Sequence, residues 1–180
     1  ASGRRLQCRG RTVMLWGVAE TYAMACCVVG YAGGPRDLSK AMAVIQSQSS
    51  TSVCTPAQLA TSAALDGPHA CVAAFRAAFE RRRDLVVERI AEIDRLTLDP
   101  PEGAFYAFIG CAALIGAKTP SGETLHDDVA VTQYLLNEGH VAAVPGTAYG
   151  LSPFFRMSPA TSEAALEKAR PLTPTAAAQQ

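Results

Sequence analysis

What this sequence lacks narrows its chemistry before any motif is read. It lacks net charge: sixteen Lys and Arg balance sixteen Asp and Glu, so no overall field draws it to nucleic acid or an anionic membrane. It lacks any apolar run near the ~20 residues that span a bilayer. The longest runs, Ala23–Tyr31 and Phe105–Ile115, fall far short, and the chain reads as soluble, with neither membrane nor nucleic acid as partner. Its six cysteines (Cys8, Cys26, Cys27, Cys54, Cys71, Cys111) include no C-x-x-C pair, and His69, His126 and His140 form no close pair. Only the neighbours His69 and Cys71 hint at zinc, so no metal site is expected. The thiols are expected to be reduced and buried, which implies a reducing compartment, the cytoplasm. Charged residues are scarce at 18% while apolar ones reach 49%, which excludes an intrinsically disordered chain. Thirty-three alanines swell that apolar fraction without adding bulk. At 180 residues the chain can still bury a sizeable core. Arg4, Arg5, Arg9 and Arg11 precede any acid but lead into no apolar stretch with a cleavage site, so a frayed end is expected there.

Phosphate and nucleophile motifs are also missing. Gly30-x-x-Gly33-Gly34 lacks the G-x-G-x-x-G order and runs into Pro35, so it reads as a turn. Gly146-Thr-Ala-Tyr-Gly150 imitates a nucleophile elbow with alanine in place of serine. A Cys–His dyad has the residue types but no family signature around them.

The patterns present alternate strand and helix. Arg11–Val18 and Cys26–Tyr31 read as strands, the second stopped by Gly33-Gly34-Pro35. Leu38, Ala41, Met42 and Ile45 keep helical spacing. Thr55-Pro56 reads as an N-cap with N1 proline, and Gly67-Pro68 as the matching stop. Val72, Phe75, Phe79, Val86, Ile90 and Ile93 predict a long helix with Arg81/Asp84 and Arg89/Glu92 paired on its wet side. The run Arg81-Arg82-Arg83, flanked by Glu80 and Asp84, reads as a solvated face rather than an anion site. Leu96–Leu98 and Ala104–Ile109 read as strands around a turn, Asp127 as the cap of a helix ending at Gly139, and Val141–Val144 and Phe154–Ser158 as short strands. Thr161 or Ser162 caps a last helix stopped by Pro171, ahead of a low-complexity tail, Thr173–Gln180. These patterns predict an α/β or α+β domain of two layers and name no reaction.

One resemblance does. Arg11-Thr-Val-Met-Leu-Trp-Gly-Val18, Tyr22-Ala-Met24, Gly30-Tyr-Ala-Gly-Gly-Pro35, Pro101-Glu-Gly-Ala-Phe-Tyr106, Val144-Pro-Gly146 and Phe154-Phe-Arg-Met-Ser158 occur in order along the chain. Together they resemble the carboxyl-terminal half of class I aspartate aminotransferases, fold-type I enzymes dependent on pyridoxal phosphate. The resemblance covers about Arg11 to Lys168 and implies an α/β fold: the small domain of such an enzyme plus the last strands of its large domain. The implied division is 1–35 as large-domain remnant, 36–67 as inter-domain helices, 68–170 as small domain and 171–180 as tail. The implied reaction is amino-group transfer between an amino acid and a 2-oxo acid, in a homodimer.

The resemblance also marks departures. The family's Schiff-base lysine falls on Glu20, which has no amine to condense with an aldehyde. Its phosphate-binding arginine falls on Val28. The other lysines, Lys40, Lys118 and Lys168, fall at positions with no cofactor role. The residues that grip the pyridine ring belong to the half of the family that the resemblance does not reach. Arg156 matches the arginine that grips the substrate carboxylate, and its planar fork suits that task. The plain alternative is a strand-end arginine in a structural ion pair, as a solvated carboxylate is for Glu20. The expected reading is therefore a truncated, inactive aminotransferase-like chain with no covalent cofactor; the alternative is a non-catalytic interaction module. Unpaired strand edges around Arg11–Tyr31 imply self-association.

Overall fold

A computed structural model of the chain describes residues 10–169. It divides into two units, Ala1–Phe75 and Arg76–Gln180.

The first unit is built from local elements with little buried between them. Strands β1 (Met14–Gly17) and β2 (Gly30–Gly33) form an antiparallel ribbon, Leu15 opposite Ala32 and Trp16 opposite Tyr31. The Trp16 and Tyr31 rings stack at 5.6 Å, the aromatic cross-strand pairing that steadies isolated ribbons. Helix α1 (Arg36–Ser49) opens after Pro35 with Asp37 in its first turn, where a negative charge meets the positive end of the helix dipole. Helix α2 (Thr55–Asp66) carries proline in its first turn and stops at Gly67, whose N–H reaches the Ala63 carbonyl at 3.0 Å. Its N-cap is Cys54, one residue before the expected Thr55.

The second predicted strand is partly a turn. Ala25–Cys27 is a single 3₁₀ turn, closed by the Cys27 N–H on the Met24 carbonyl (3.0 Å) and the Val28 N–H on that of Ala25 (3.2 Å). Val28 then sits at φ 50° in the left-handed region, and the ladder starts only at Gly30. The β-branched pair Val28-Val29 misled the pattern, because the chain must reverse before it can pair with β1.

The second unit holds the core. Helix α3 (Ala70–Ala91) begins in the first unit, and Val86 and Ile90 on its last turns join Ile93, Ile109, Val131 and Phe155 in one apolar cluster. Strands β3 (Ala107–Gly110), β4 (Val144–Pro145) and β5 (Phe154–Met157) form an antiparallel sheet in the order β3-β5-β4. Alternation along β3 and β5 turns Ala107, Ile109 and Phe155 into the core. The predicted strand Leu96–Leu98 is one bridge, Thr97 to Gly110, and Ala104, expected to start a strand, has φ 62° in the turn before β3.

Helix α4 (Asp128–Asn137) is capped as expected, Asp127 Oδ1 accepting from the Ala130 N–H at 2.8 Å. It ends at Asn137, two residues before the expected Gly139: the Glu138 N–H closes on the Tyr134 carbonyl, His140 takes the left-handed conformation, and the Val141 N–H reaches the Leu135 carbonyl at 3.0 Å. Ser162 caps α5 (Glu163–Ala169) through the Ala165 N–H. Pro171 and the tail lie outside the described residues.

The charge pairing on α3 differs from the i,i+3 expectation at one end. Arg89 does meet Glu92 at 2.9 Å, but Arg81 turns to Glu163 at 3.5 Å, and Asp84 binds Arg83 instead. Arg89 also reaches Glu167 at 3.0 Å, so α5 takes the arginines that a solitary helix would pair internally. The cysteines correct a second expectation. All five described are free, but only Cys111 is buried; Cys26, Cys54 and Cys71 are exposed. Four of the five belong to the unit that buries little, so the apolar character of a thiol is not enough to hide it.

Candidate functional site

The sheet of the second unit presents a face opposite its core, and the side chains on it follow from strand periodicity. Arg156 is central on β5, registered with Phe108 on β3 and Val144 on β4. Phe154 lies two residues before it on the same face, and its ring stacks on Phe108 at 5.4 Å. Tyr106, two residues before Phe108, and Tyr149, from the turn before β5, bracket the guanidinium. The Arg156 Cζ lies 4.2 Å from the Tyr106 ring centre and 4.6 Å from that of Tyr149. Tyr106 is 39% and Tyr149 48% exposed, so the cation sits in an aromatic bracket open to solvent.

Stacking of this kind contributes about 0.5–1 kcal/mol per ring at exposed sites. It holds the fork without neutralising it. The ion pairs among the described residues engage Arg81, Arg83 and Arg89, and Arg156 enters none of them. A guanidinium pinned by aromatic faces and lacking a carboxylate partner is suited to receive one from a ligand, in the two-pronged geometry that carboxylates favour.

The turn that carries Tyr149 is fixed from beneath. Asp128, the first residue of α4, is fully buried. Its Oδ2 accepts from the Thr147 N–H at 2.9 Å and its Oδ1 from the Thr147 hydroxyl at 2.6 Å. Burial opposes its charge, but the bonds from Thr147, with further ones from the Ser152 side chain and the Phe154 backbone, outweigh it and hold the carboxyl below its ordinary range. Nearby Cys111 responds oppositely: burial first, and the Asp128 charge second, push its thiol up to about 11. Gly146 completes the turn, with space for no side chain: a Cβ there would lie 2.1 Å from the Leu151 carbonyl oxygen.

Glu20 and Val28 lie in the first unit, on the chain of turns between β1 and β2. The Tyr22 N–H meets the Val18 carbonyl at 3.2 Å and the Met24 N–H that of Ala19 at 3.0 Å. Glu20 is exposed, and Val28 is 81% exposed. Residues 19–30 contain no lysine or arginine, so the donor set there does not fit a phosphate-bearing aldehyde: it offers no amine to condense and no cation for the phosphate. Lys40, Lys118 and Lys168 are each exposed, on α1, in the Lys118–Thr124 turn and on α5. Among the described residues no cluster of three or more His, Cys, Asp or Glu is arranged to hold a metal.

The family model described as aminotransferase class I and II matches residues 7–170. The chain belongs to that family. This aminotransferase-family chain is 51% identical over 161 residues to an aspartate aminotransferase of Rhizobium meliloti (strain 1021), an alignment covering 89% of it and 39% of the relative. It is 45% identical over 159 residues to an aspartate/prephenate aminotransferase of Cereibacter sphaeroides, covering 88% and 40%. Among solved structures it superposes on the Rhizobium meliloti aspartate aminotransferase with a TM-score of 0.90 at 48% identity, over 94% of this chain and 42% of that one. On a Thermus thermophilus aspartate aminotransferase crystallised with maleate the TM-score is 0.85 at 37% identity, over 97% and 43%. The chain thus spans about two-fifths of the length of these relatives. Its α/β architecture is that of part of an aminotransferase, as the resemblance implied.

Sequence reasoning singled out Arg156 but missed its setting. Tyr106 was legible in principle, since residues 106 and 108 share a strand face. Tyr149 and Asp128 were not, because only the tertiary fold brings the turn before β5 over Arg156 and the start of α4 under that turn. No alignment of sequence periods carries that information.

Proposed function

We propose that this chain carries the carboxylate-recognition part of an aspartate aminotransferase-like protein and makes no covalent bond to pyridoxal phosphate. The observation that carries the first half is the Arg156 guanidinium, stacked between Tyr106 and Tyr149 and engaged by no acid among the described residues. The family transfers an amino group between an amino acid and a 2-oxo acid, and both substrates present a carboxylate that an arginine fork can grip. A relative crystallised with maleate, a dicarboxylate, makes that compound the natural probe. The second half rests on the donor set of residues 19–30, where Glu20 stands at the amine position and Val28 at the phosphate position.

In this reading residues 1–35 belong to a cofactor domain, 36–67 to inter-domain helices and 68–170 to the small domain. The exposed apolar side chains of the first unit, Leu15 at 75%, Ile45 at 69% and Leu59 at 67% among them, favour a companion reading. That surface takes a partner, in the first instance a second copy of the chain, so the chain self-associates.

Titrating maleate into the full chain without pyridoxal phosphate tests the proposal. Arg156→Gln removes a charge-assisted bond pair worth about 1.5–3 kcal/mol, so maleate affinity falls roughly 10- to 100-fold. Equal binding by the two proteins refutes the assignment of Arg156.

A further inference from the structure

Asp128 is the one fully buried carboxylate among the described residues, and nothing in the carboxylate-recognition reading uses it directly. Its partners straddle Tyr149. Thr147, two residues before that tyrosine, gives it both a backbone and a side-chain hydrogen bond. Ser152 and Phe154, three and five residues after, also favour its charge. One carboxylate therefore ties the start of the turn to the first residue of α4, where the helix dipole favours its negative charge. Two backbone bonds inside the turn, Gly150 N–H to the Thr147 carbonyl and Leu151 N–H to that of Gly146, hold the backbone that carries the ring.

We infer that Asp128 is a positioning residue: by anchoring the turn at Thr147 it holds the Tyr149 ring against Arg156 and keeps the guanidinium aimed for a ligand carboxylate. The inference rests on the reading of Arg156 as a carboxylate site. It acts through Tyr149, since Asp128 forms no ion pair with Arg156. An aspartate retained only to join α4 to β5 would support the fold without being coupled to the tyrosine.

The test uses the full chain with ring-labelled tyrosine, the Tyr149 resonance assigned by its loss in Tyr149→Phe, and maleate as the probe. Asp128→Asn keeps the volume and removes the charge; Thr147→Val, which removes one donor, stands in if Asp128→Asn does not fold. The expected result is a shifted Tyr149 ring signal and maleate binding weakened about tenfold in Asp128→Asn, about threefold in Thr147→Val. In a Tyr149→Leu background Asp128→Asn then adds little further loss, because its route to Arg156 is already gone. An unmoved Tyr149 signal with maleate affinity within twofold in a folded variant overturns the inference. Fully additive losses in the Tyr149→Leu background overturn it too. If the unsubstituted chain binds no maleate, the Arg156 reading fails instead, and the Tyr149 signal alone decides whether Asp128 positions the ring.

Discussion

Adding one methyl group at Gly146 probes the site most sharply, because the space it enters is bounded by backbone. The added Cβ would lie 2.1 Å from the Leu151 carbonyl oxygen, 2.8 Å from that of Phe154 and 3.0 Å from the Phe154 Cβ. None of these is the free end of a side chain that can swing away. Relief requires moving Gly146 away from Leu151 and the start of β5, which stretches the Leu151 N–H bond to the Gly146 carbonyl (3.1 Å) and pulls Thr147 from Asp128. Overpacking costs about 1–3 kcal/mol in a yielding core, and the loss of a bond to a buried charge about 1.5–3 kcal/mol. Since one movement incurs both, Gly146→Ala is expected to destabilise the second unit by about 3–5 kcal/mol and to weaken maleate binding with it. Gly103→Ala is the control: nothing lies within 4 Å of its Cβ position, and the reduced freedom of the unfolded chain makes it neutral to about 1 kcal/mol stabilising. Urea unfolding followed by near-ultraviolet circular dichroism, which reports the aromatic face, compares the two. Stabilities of the two variants within about 0.5 kcal/mol of each other would refute the packing argument, an interval close to the uncertainty of such measurements.

Three further outcomes follow from the same geometry. Native alkylation with iodoacetamide should modify Cys26, Cys54 and Cys71, which are exposed, and spare Cys111, whose thiol stays protonated far above neutral pH; mass mapping that finds Cys111 labelled without denaturant contradicts its placement. Because Asp128 has its folded value lowered, its contribution to stability is present above the unfolded value near ~3.9 and lost as pH falls through the folded value; unfolding free energy measured from pH 6 downward should drop more shallowly in Asp128→Asn, and parallel curves would show that the carboxylate is not the titrating group. Sedimentation of the full chain should show self-association that Leu15→Glu or Ile45→Glu reduces, since both side chains are mostly exposed and apolar; a monomer across a wide concentration range removes the case for a partner surface.

How much the sequence revealed depended on how local the cause was. Helix α1 and the cap of α4 were legible because periodicity and capping act within a few residues, and the Asp127 bond to Ala130 is such a short-range event. The strand expected over Cys26–Tyr31 failed where a β-branched pair met a compulsory reversal; Val28 carries a left-handed φ that only the closing of β2 on β1 imposes. Helix spacing alone pairs Arg81 with its neighbour Asp84, but Glu163, eighty-two residues on, takes it instead. The bracket of Tyr106 and Tyr149 around Arg156, and Asp128 beneath the turn, depend on three strands and a helix meeting, so they entered only with the fold. What the sequence did carry without the fold is the substitution pattern: the absence of any amine or cation from residue 19 to residue 30 is readable in one dimension.

That absence leads to the most direct measurement. The full chain is incubated with pyridoxal phosphate, reduced with borohydride, digested and mapped by mass. Carboxylate recognition without a cofactor amine predicts sub-stoichiometric label scattered over the exposed Lys40, Lys118 and Lys168, no more than a control protein of similar lysine content takes up. Stoichiometric reduction onto one of these lysines would contradict the account.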